Sequence, residues 1–253
     1  MSWVRDFVDV KASPEEIAER LGLRGFEVAT VEPAGDAGAT DGIIDFEVTA
    51  NRPDCLSVVG FAREIATAFD LHFHSPKVEP GTRAVLGPAP SGESERLKVT
   101  LEDAALCPRY AAAVVEVTLA RTPPWMITRL LASGVRPISS LVDITNYVLM
   151  ELGHPMHVFD LATLAGAELR IRRARAGEVI TTLDGVERTL EPDMLVIADS
   201  RRPQAVAGVM GGARSEVSGA TRTVAFESAY FAPASVRRTS KRLGLKTEAS
   251  SRF

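Results

Sequence analysis

Cysteine is scarce: Cys55 and Cys107 are the only two among 253 residues. That excludes a disulfide framework and a Cys-rich metal centre, and it fits reduced thiols in the cytosol. No apolar run approaches the ~18 residues that a membrane span needs. The opening Met1-Ser2-Trp3-Val4-Arg5-Asp6 lacks the basic-then-apolar layout of a signal peptide. Positive charge is not in excess either. The net charge is −4, so no global basic field attracts nucleic acid, and any RNA contact must be local. Internal repeats and low-complexity tracts are also missing. What remains is ordinary for a globular protein, at 45% hydrophobic and 25% charged residues, which excludes a disordered or fibrous chain. A chain of this length forms one large domain or two small ones and buries roughly 70% of its unfolded surface.

Ser13-Pro14-Glu15-Glu16 carries a capping residue, a proline at N1 and a glutamate at N3, so a helix starts there and Gly22 and Gly25 stop it. Residues 33–42 are rich in Gly, Ala and Asp and read as a connector. A strand is expected at 43–48, a turn at 51–54 and a second helix at 58–69. The densest Pro/Gly/Ser/Ala stretch, 74–94, is the best domain boundary. Beyond it, strands are expected at 97–101, 110–117, 168–173, 194–198, 205–209 and 223–227. A hairpin at 179–190 turns at Asp184-Gly185. Helices follow Pro123-Pro124, Ser139 or Ser140, and Pro233. The expected class is α+β: a small N-terminal α/β domain, then a larger mixed one.

His154-Pro155-Met156-His157 is the densest histidine cluster. The proline spoils helical metal-ligand spacing and no Cys or paired acid lies nearby, so a metal site is not expected. One histidine acting from a loop and a structural role both remain open. Gly208, Gly211 and Gly212 follow a strand but fit neither GxGxxG nor the P-loop. Such glycines serve either packing or a pocket floor. Glu227 ends an apolar strand, either as a strand end meeting solvent or as a pocket acid. Asn146 sits in an apolar helix, as a core strut or a ligand contact. Arg170, Arg172, Arg173 and Arg175 suggest a solvated strand face. Arg237, Arg238, Lys241, Arg242 and Lys246 suggest a solvated helix or a phosphate patch. No Ser-His-Asp order, GxSxG or HExxH is present.

Seven motifs occur in a telling order: Asn51-Arg52-Pro53-Asp54-Cys55-Leu56-Ser57, Arg136-Pro137-Ile138, Asp143-Ile144-Thr145-Asn146-Tyr147-Val148, Pro155-Met156-His157-Val158-Phe159-Asp160, Ala207-Gly208-Val209-Met210-Gly211-Gly212, Glu227-Ser228-Ala229 and Thr247-Glu248-Ala249-Ser250-Ser251-Arg252-Phe253. Together they resemble the beta subunit of bacterial phenylalanyl-tRNA synthetase. The resemblance implies an N-terminal domain over residues 1–85, a linker at 86–93, and a B3/B4 editing domain over 94–253, short at its C-terminal end. The family's inserted OB-fold tRNA-binding domain is replaced by the connector at 33–42. The resemblance therefore implies a fragment or an incomplete reading of a longer gene.

It also implies chemistry. In this family the B3/B4 domain hydrolyses tyrosine wrongly attached to phenylalanine tRNA. A pocket without hydrogen bonds rejects one added hydroxyl only about a hundredfold, whereas a site built to bond that hydroxyl discriminates far better. Glu227 matches the position that reads the hydroxyl. Gly211 matches the position that leaves room for the ring, beside Gly208. Thr247 and Ala249 match the pocket wall, and Arg136 belongs to the same pocket. His157 and Asn146 match the polar positions near the ester, where they would orient water or polarise the carbonyl. No metal or cofactor is expected for this chain; ATP and Mg2+ serve only the complete synthetase. Expected partners are the alpha subunit, in an alpha2-beta2 assembly, and the tRNA acceptor end, with no membrane and no DNA, in the cytoplasm. The competing reading is a subunit-interaction module without activity of its own.

Overall fold

Ser13 caps the first helix, α1 (Pro14–Gly22): its Oγ accepts the Glu16 amide at 3.2 Å. The computed structural model describes residues 1–33, 41–76 and 96–253. The expected linker at 86–93 lies outside them, as does the connector at 33–42 apart from its end residues. After α1 come β1 (Glu27–Pro33) and β2 (Gly42–Glu47), an antiparallel pair with a bulge between Val28 and Thr30. β1 goes beyond the sequence expectation, because Pro33 reads as the start of a connector. Ser57 caps α2 (Val58–Phe69) by accepting the Gly60 amide at 3.0 Å. Ile17, Leu21, Phe26 and Ile65 bury their side chains together with Trp3 and Phe7.

The chain divides into two units. The first takes Met1–Leu86, Thr122–Ile138 and Asn146–Gly153; the second takes Gly87–Arg121, Ser139–Thr145 and His154–Phe253. The first unit thus includes α3 (Pro124–Ala132) and the later part of α4 (Ser140–Leu152). Side chains explain this. Arg129 on α3 donates to Tyr147 Oη at 2.8 Å and to Asp6 at 2.6 Å, and the Tyr147 ring stacks on Trp3 at 4.5 Å. Composition marks breaks along a chain but not segments that reach back across them.

The second unit holds β3 (Lys98–Leu101), β4 (Arg109–Glu116), β5 (Met156–Asp160), β6 (Glu168–Arg173), β7 (Val179–Thr181), β8 (Glu187–Thr189), β9 (Leu195–Ala198), β10 (Pro203–Val206), β11 (Met210–Gly211) and β12 (Thr223–Tyr230), then α5 (Pro233–Leu243). One sheet has the order β11-β10-β9-β6-β3, antiparallel except for β3 beside β6. A second has the order β4-β12-β5, and β7 and β8 form the expected hairpin. Helices and mixed sheets make the fold α+β, as expected. β9 reads as a continuous apolar run because all four of its residues are buried. Phe159, Leu169, Ile171, Ile197 and Phe231 belong to the core. Leu169→Ala should therefore lower stability by about 2–5 kcal/mol. Urea unfolding would show it as a lower midpoint with an unchanged slope. Among the described residues no helix is long and apolar enough to cross a membrane.

Two expectations are corrected. His157 lies not in a loop but on β5; Pro155 sits just before the first strand residue, where its missing N–H costs no ladder bond. Arg172 is not on a solvated face. It is 6% exposed and forks onto Glu178 at 2.6 and 2.8 Å, so the buried charge is matched. Its neighbour Arg173 reaches out to Asp103 at 2.7 Å.

Candidate active site

β12 is the middle strand of its sheet. Its register sets Glu227 opposite His157 on β5, and two residues further Ala229 faces Tyr110 on β4. Side chains alternate along a strand, so Glu227, His157 and Tyr110 share one face of the sheet. Glu227 is 5% exposed. Glu227 is thus a buried acid, not a strand end in solvent.

Glu227 Oε2, His157 Nε2 and Tyr110 Oη are buried and make no hydrogen bond among the described residues. Each such unpaired group costs ~1–3 kcal/mol, so three on one face are a poor way to build a core. Burial raises the Glu227 carboxyl to about 8. The Tyr110 hydroxyl counters this in part, although the pair falls short of full hydrogen-bond geometry. Burial lowers His157 to about 4 and raises Cys107, which also faces the Glu227 charge, to about 12. Burial likewise pushes the Tyr110 phenol well above its ordinary value. At neutral pH the acid and the imidazole are both mainly uncharged.

Gly211 closes this face. A Cβ on it would stand 2.4 Å from His157 Cε1, 2.7 Å from Nε2 and 3.1 Å from Leu183 Cδ1. The room above Gly211 is therefore taken by the imidazole, which also packs edge-on against Phe159 at 4.5 Å between centroids. Gly208 has φ +70, and a Cβ there would meet Val236, Phe253 and Phe231 side chains at 2.8–3.2 Å. Thr247 Oγ1 donates to the Val209 carbonyl at 2.9 Å and accepts the Ser250 amide at 3.0 Å. The partly buried Ala249 follows in the same turn, and its carbonyl accepts the Arg252 and Phe253 amides. Thr247, through Val209, and Gly208, through Phe253, thus join the Gly208–Gly211 loop to the last turn of the described chain, to which Ala249 belongs. His154 is separate from the triad and bonds Ser228 Oγ at 2.9 Å.

Asn146 and Arg136 belong to the first unit. Asn146 is half-buried and makes no side-chain hydrogen bond among the described residues; partial exposure removes the need for one. Arg136 is exposed. Tyr110 was not foreseen as a site residue. Its only sequence signal is a polar aromatic at the head of an apolar strand, and its partner is set by register. The one cation-ligand grouping among the described residues is Asp54, Cys55 and Glu64. The Arg52 guanidinium already reaches both carboxylates, at 2.9 and 2.7 Å, and supplies the positive charge there.

Residues 106–253 match the family model described as the B3/4 domain. Among curated proteins, the phenylalanine–tRNA ligase beta subunit of Anaeromyxobacter dehalogenans is 52% identical over 223 residues, 87% of this chain and 27% of that protein. The same subunit of Moorella thermoacetica is 49% identical over 226 residues, again 87% and 27%. The chain spans about a quarter of the length of these relatives. Among solved structures, an N-terminal fragment of the phenylalanyl-tRNA synthetase beta subunit from Pyrococcus horikoshii aligns with a TM-score of 0.41 at 16% identity, covering 98% of this chain and 72% of that one.

Proposed function

Because the chain belongs to the B3/4 domain family, we propose that it is the editing part of a phenylalanine–tRNA ligase beta subunit and hydrolyses tyrosine wrongly esterified to phenylalanine tRNA. The observation that carries this is the buried, unpaired set of Glu227, His157 and Tyr110 beneath Gly211. A tyrosyl hydroxyl is both donor and acceptor, so it satisfies Glu227 and Tyr110 together, whereas phenylalanine leaves both unpaired.

The reaction needs only water. The water oxygen attacks the ester carbonyl, the ribose oxygen leaves with a proton, and free tyrosine is released. His157 is too weak a base at about 4 to hold the water's proton in the ground state, so its role is to orient water through a neutral ring nitrogen. The substrate ring and the imidazole share the space above Gly211, so binding swings His157 toward the ester. For Asn146 and Arg136 a role at the ester rests on the resemblance alone. Thr247 braces the wall through the Val209 carbonyl, and a role for Ala249 there rests on the resemblance. In the complete ligase the alpha subunit is the partner, the tRNA acceptor end delivers the ester in the cytoplasm, and ATP and Mg2+ belong to the synthetic reaction.

The test is to follow ester loss from Tyr-tRNA and Phe-tRNA with this chain and with the whole ligase. Tyr-tRNA should be cleared faster, and His157→Ala should lower the single-turnover rate while leaving Tyr-tRNA affinity nearly unchanged. If affinity loss accounts for the whole defect, His157 binds substrate instead. If neither ester is cleared by either preparation, the chain is an interaction module.

A further inference from the structure

A cleft of about 420 Å³ opens between the β7–β8 hairpin and the loop that enters β10. Its walls carry three arginines, Arg201, Arg202 and Arg214, against a single carboxylate, Glu187. All three arginines are exposed, and none has an ion pair or a side-chain hydrogen bond among the described residues. Other arginines of this unit, such as Arg237 and Arg238, also lack an ion pair among the described residues, but these three line one cleft together. Arg170, Arg172, Arg173, Arg188 and Arg242 of the same unit are each matched to an Asp or Glu. In a chain of net charge −4, an unmatched basic cleft is a local reversal of sign.

The arginines stand on a rigid base. Asp199, 4% exposed, accepts the Arg201 and Arg202 amides at 2.7 and 2.8 Å, the Ala165 amide at 3.1 Å and Gln204 Nε2 at 2.7 Å. Four donors on one carboxylate fix the turn that presents Arg201 and Arg202. Opposite them, Gly212 floors the cleft and the 3₁₀ turn Ala213–Ser215 presents Arg214. Gly212 is constrained too: a Cβ there would sit 2.6 Å from the Gln204 carbonyl oxygen. Three guanidinium forks on fixed backbone suit a run of phosphates better than one metal-sized or apolar ligand.

We infer that this cleft binds the phosphodiester backbone of a single RNA strand. Gly211 and Gly212 are consecutive, so the floor of the arginine cleft is the residue next to the glycine that packs under the His157 ring. That the strand is RNA rests on the proposed function above; that the ligand is a polyphosphate strand rests on the arginines.

The probe is a fluorescein-labelled, single-stranded RNA 12-mer bearing no amino acid, titrated against the whole chain at several salt concentrations. The triple variant R201E/R202E/R214E should bind at least tenfold more weakly. Losing three phosphate contacts should also flatten the slope of log K against log salt by about 2. R201K/R202K/R214K should retain most of the affinity, which separates charge from misfolding. R237E/R238E, on the exposed face of α5, should stay within twofold of the parent. The inference is overturned if the glutamate triple binds like the parent, or if only the α5 variant loses binding. It is also overturned if pyrophosphate occupies the cleft as tightly as the RNA, which makes it a small-anion site. Since the probe carries no aminoacyl ester, its binding is independent of editing. Arginine-dependent binding without Tyr-tRNA hydrolysis removes the functional reading and keeps the cleft as a strand site. Hydrolysis with no such binding does the reverse.

Discussion

Replacing Gly211 by tryptophan should abolish hydrolysis of a tyrosyl ester, and even alanine should cost about a hundredfold, the scale of a 1 Å misplacement at a reacting centre. The reason is the contact under the imidazole. A Cβ at 2.4 Å from His157 Cε1 cannot coexist with the ring as it stands, so the ring must rotate or the strand must shift. Rotation is the easier of the two, because β11 is also tied to Leu183 and Gln204 through backbone bonds. The alanine variant should keep its circular dichroism and its urea slope while the rate falls. Adding His157→Ala to Gly211→Ala should then lower the rate little further, since both act on one ring. Parent-like rates in a folded Gly211→Trp chain would remove Gly211 and His157 from the chemistry together.

Glu227→Ala should cut Tyr-tRNA hydrolysis by roughly 10- to 100-fold, the cost of leaving the buried tyrosyl hydroxyl without its partner, about 1–3 kcal/mol, and leave the slow Phe-tRNA background unchanged. A ratio of the two rates that does not move would sink the hydroxyl-reading role. Stability gives an independent handle. Between pH 4.5 and 8 the folded chain keeps a proton on Glu227 that the unfolded chain has released, so stability falls as pH rises through that window. His157 works in the opposite sense. Held neutral down to about 4 against 6.5 when unfolded, it makes stability rise with pH between those values. The two slopes oppose each other where they overlap. The net decline from this pair therefore falls between about 6.5 and 8 and amounts to roughly 2 kcal/mol. Tyr110 and Cys107, the other titratable groups on this face, ionise above that window. Glu227→Gln cannot ionise and should flatten the decline; urea midpoints at pH 6.5 and 8 measure it. A glutamine variant that loses as much stability as the parent would show that Glu227 is not held protonated.

Much of the fold was legible because its signals are local. Ser13, Pro233 and the Asp184-Gly185 turn each act within a few residues, and the helices and the hairpin stand where they point. β5 was hidden by Pro155, which reads as a loop mark although it sits one residue outside the ladder. The matching of Arg172 to Glu178 was hidden because an alternating arginine run looks the same whether its inner members face solvent or a carboxylate. At the site, Glu227, Gly211 and His157 could be named from motifs, but not that the imidazole fills the space over the glycine. Tyr110 was invisible for a deeper reason. It joins the set only through the pairing of Ala229 with Tyr110, and strand register is a property of two distant segments.

That register also bears on how the chain comes into being. The three segments that carry Tyr110, His157 and Glu227 are far apart in sequence and meet only when the last of them, β12, enters between the other two. Closing such non-local pairings is slow relative to forming helices or the β7–β8 hairpin. During refolding, then, helical signal should return first and pocket chemistry last. A nascent chain halted before residue 223 would hold every local element upstream of β12 and still lack the strand that completes the site.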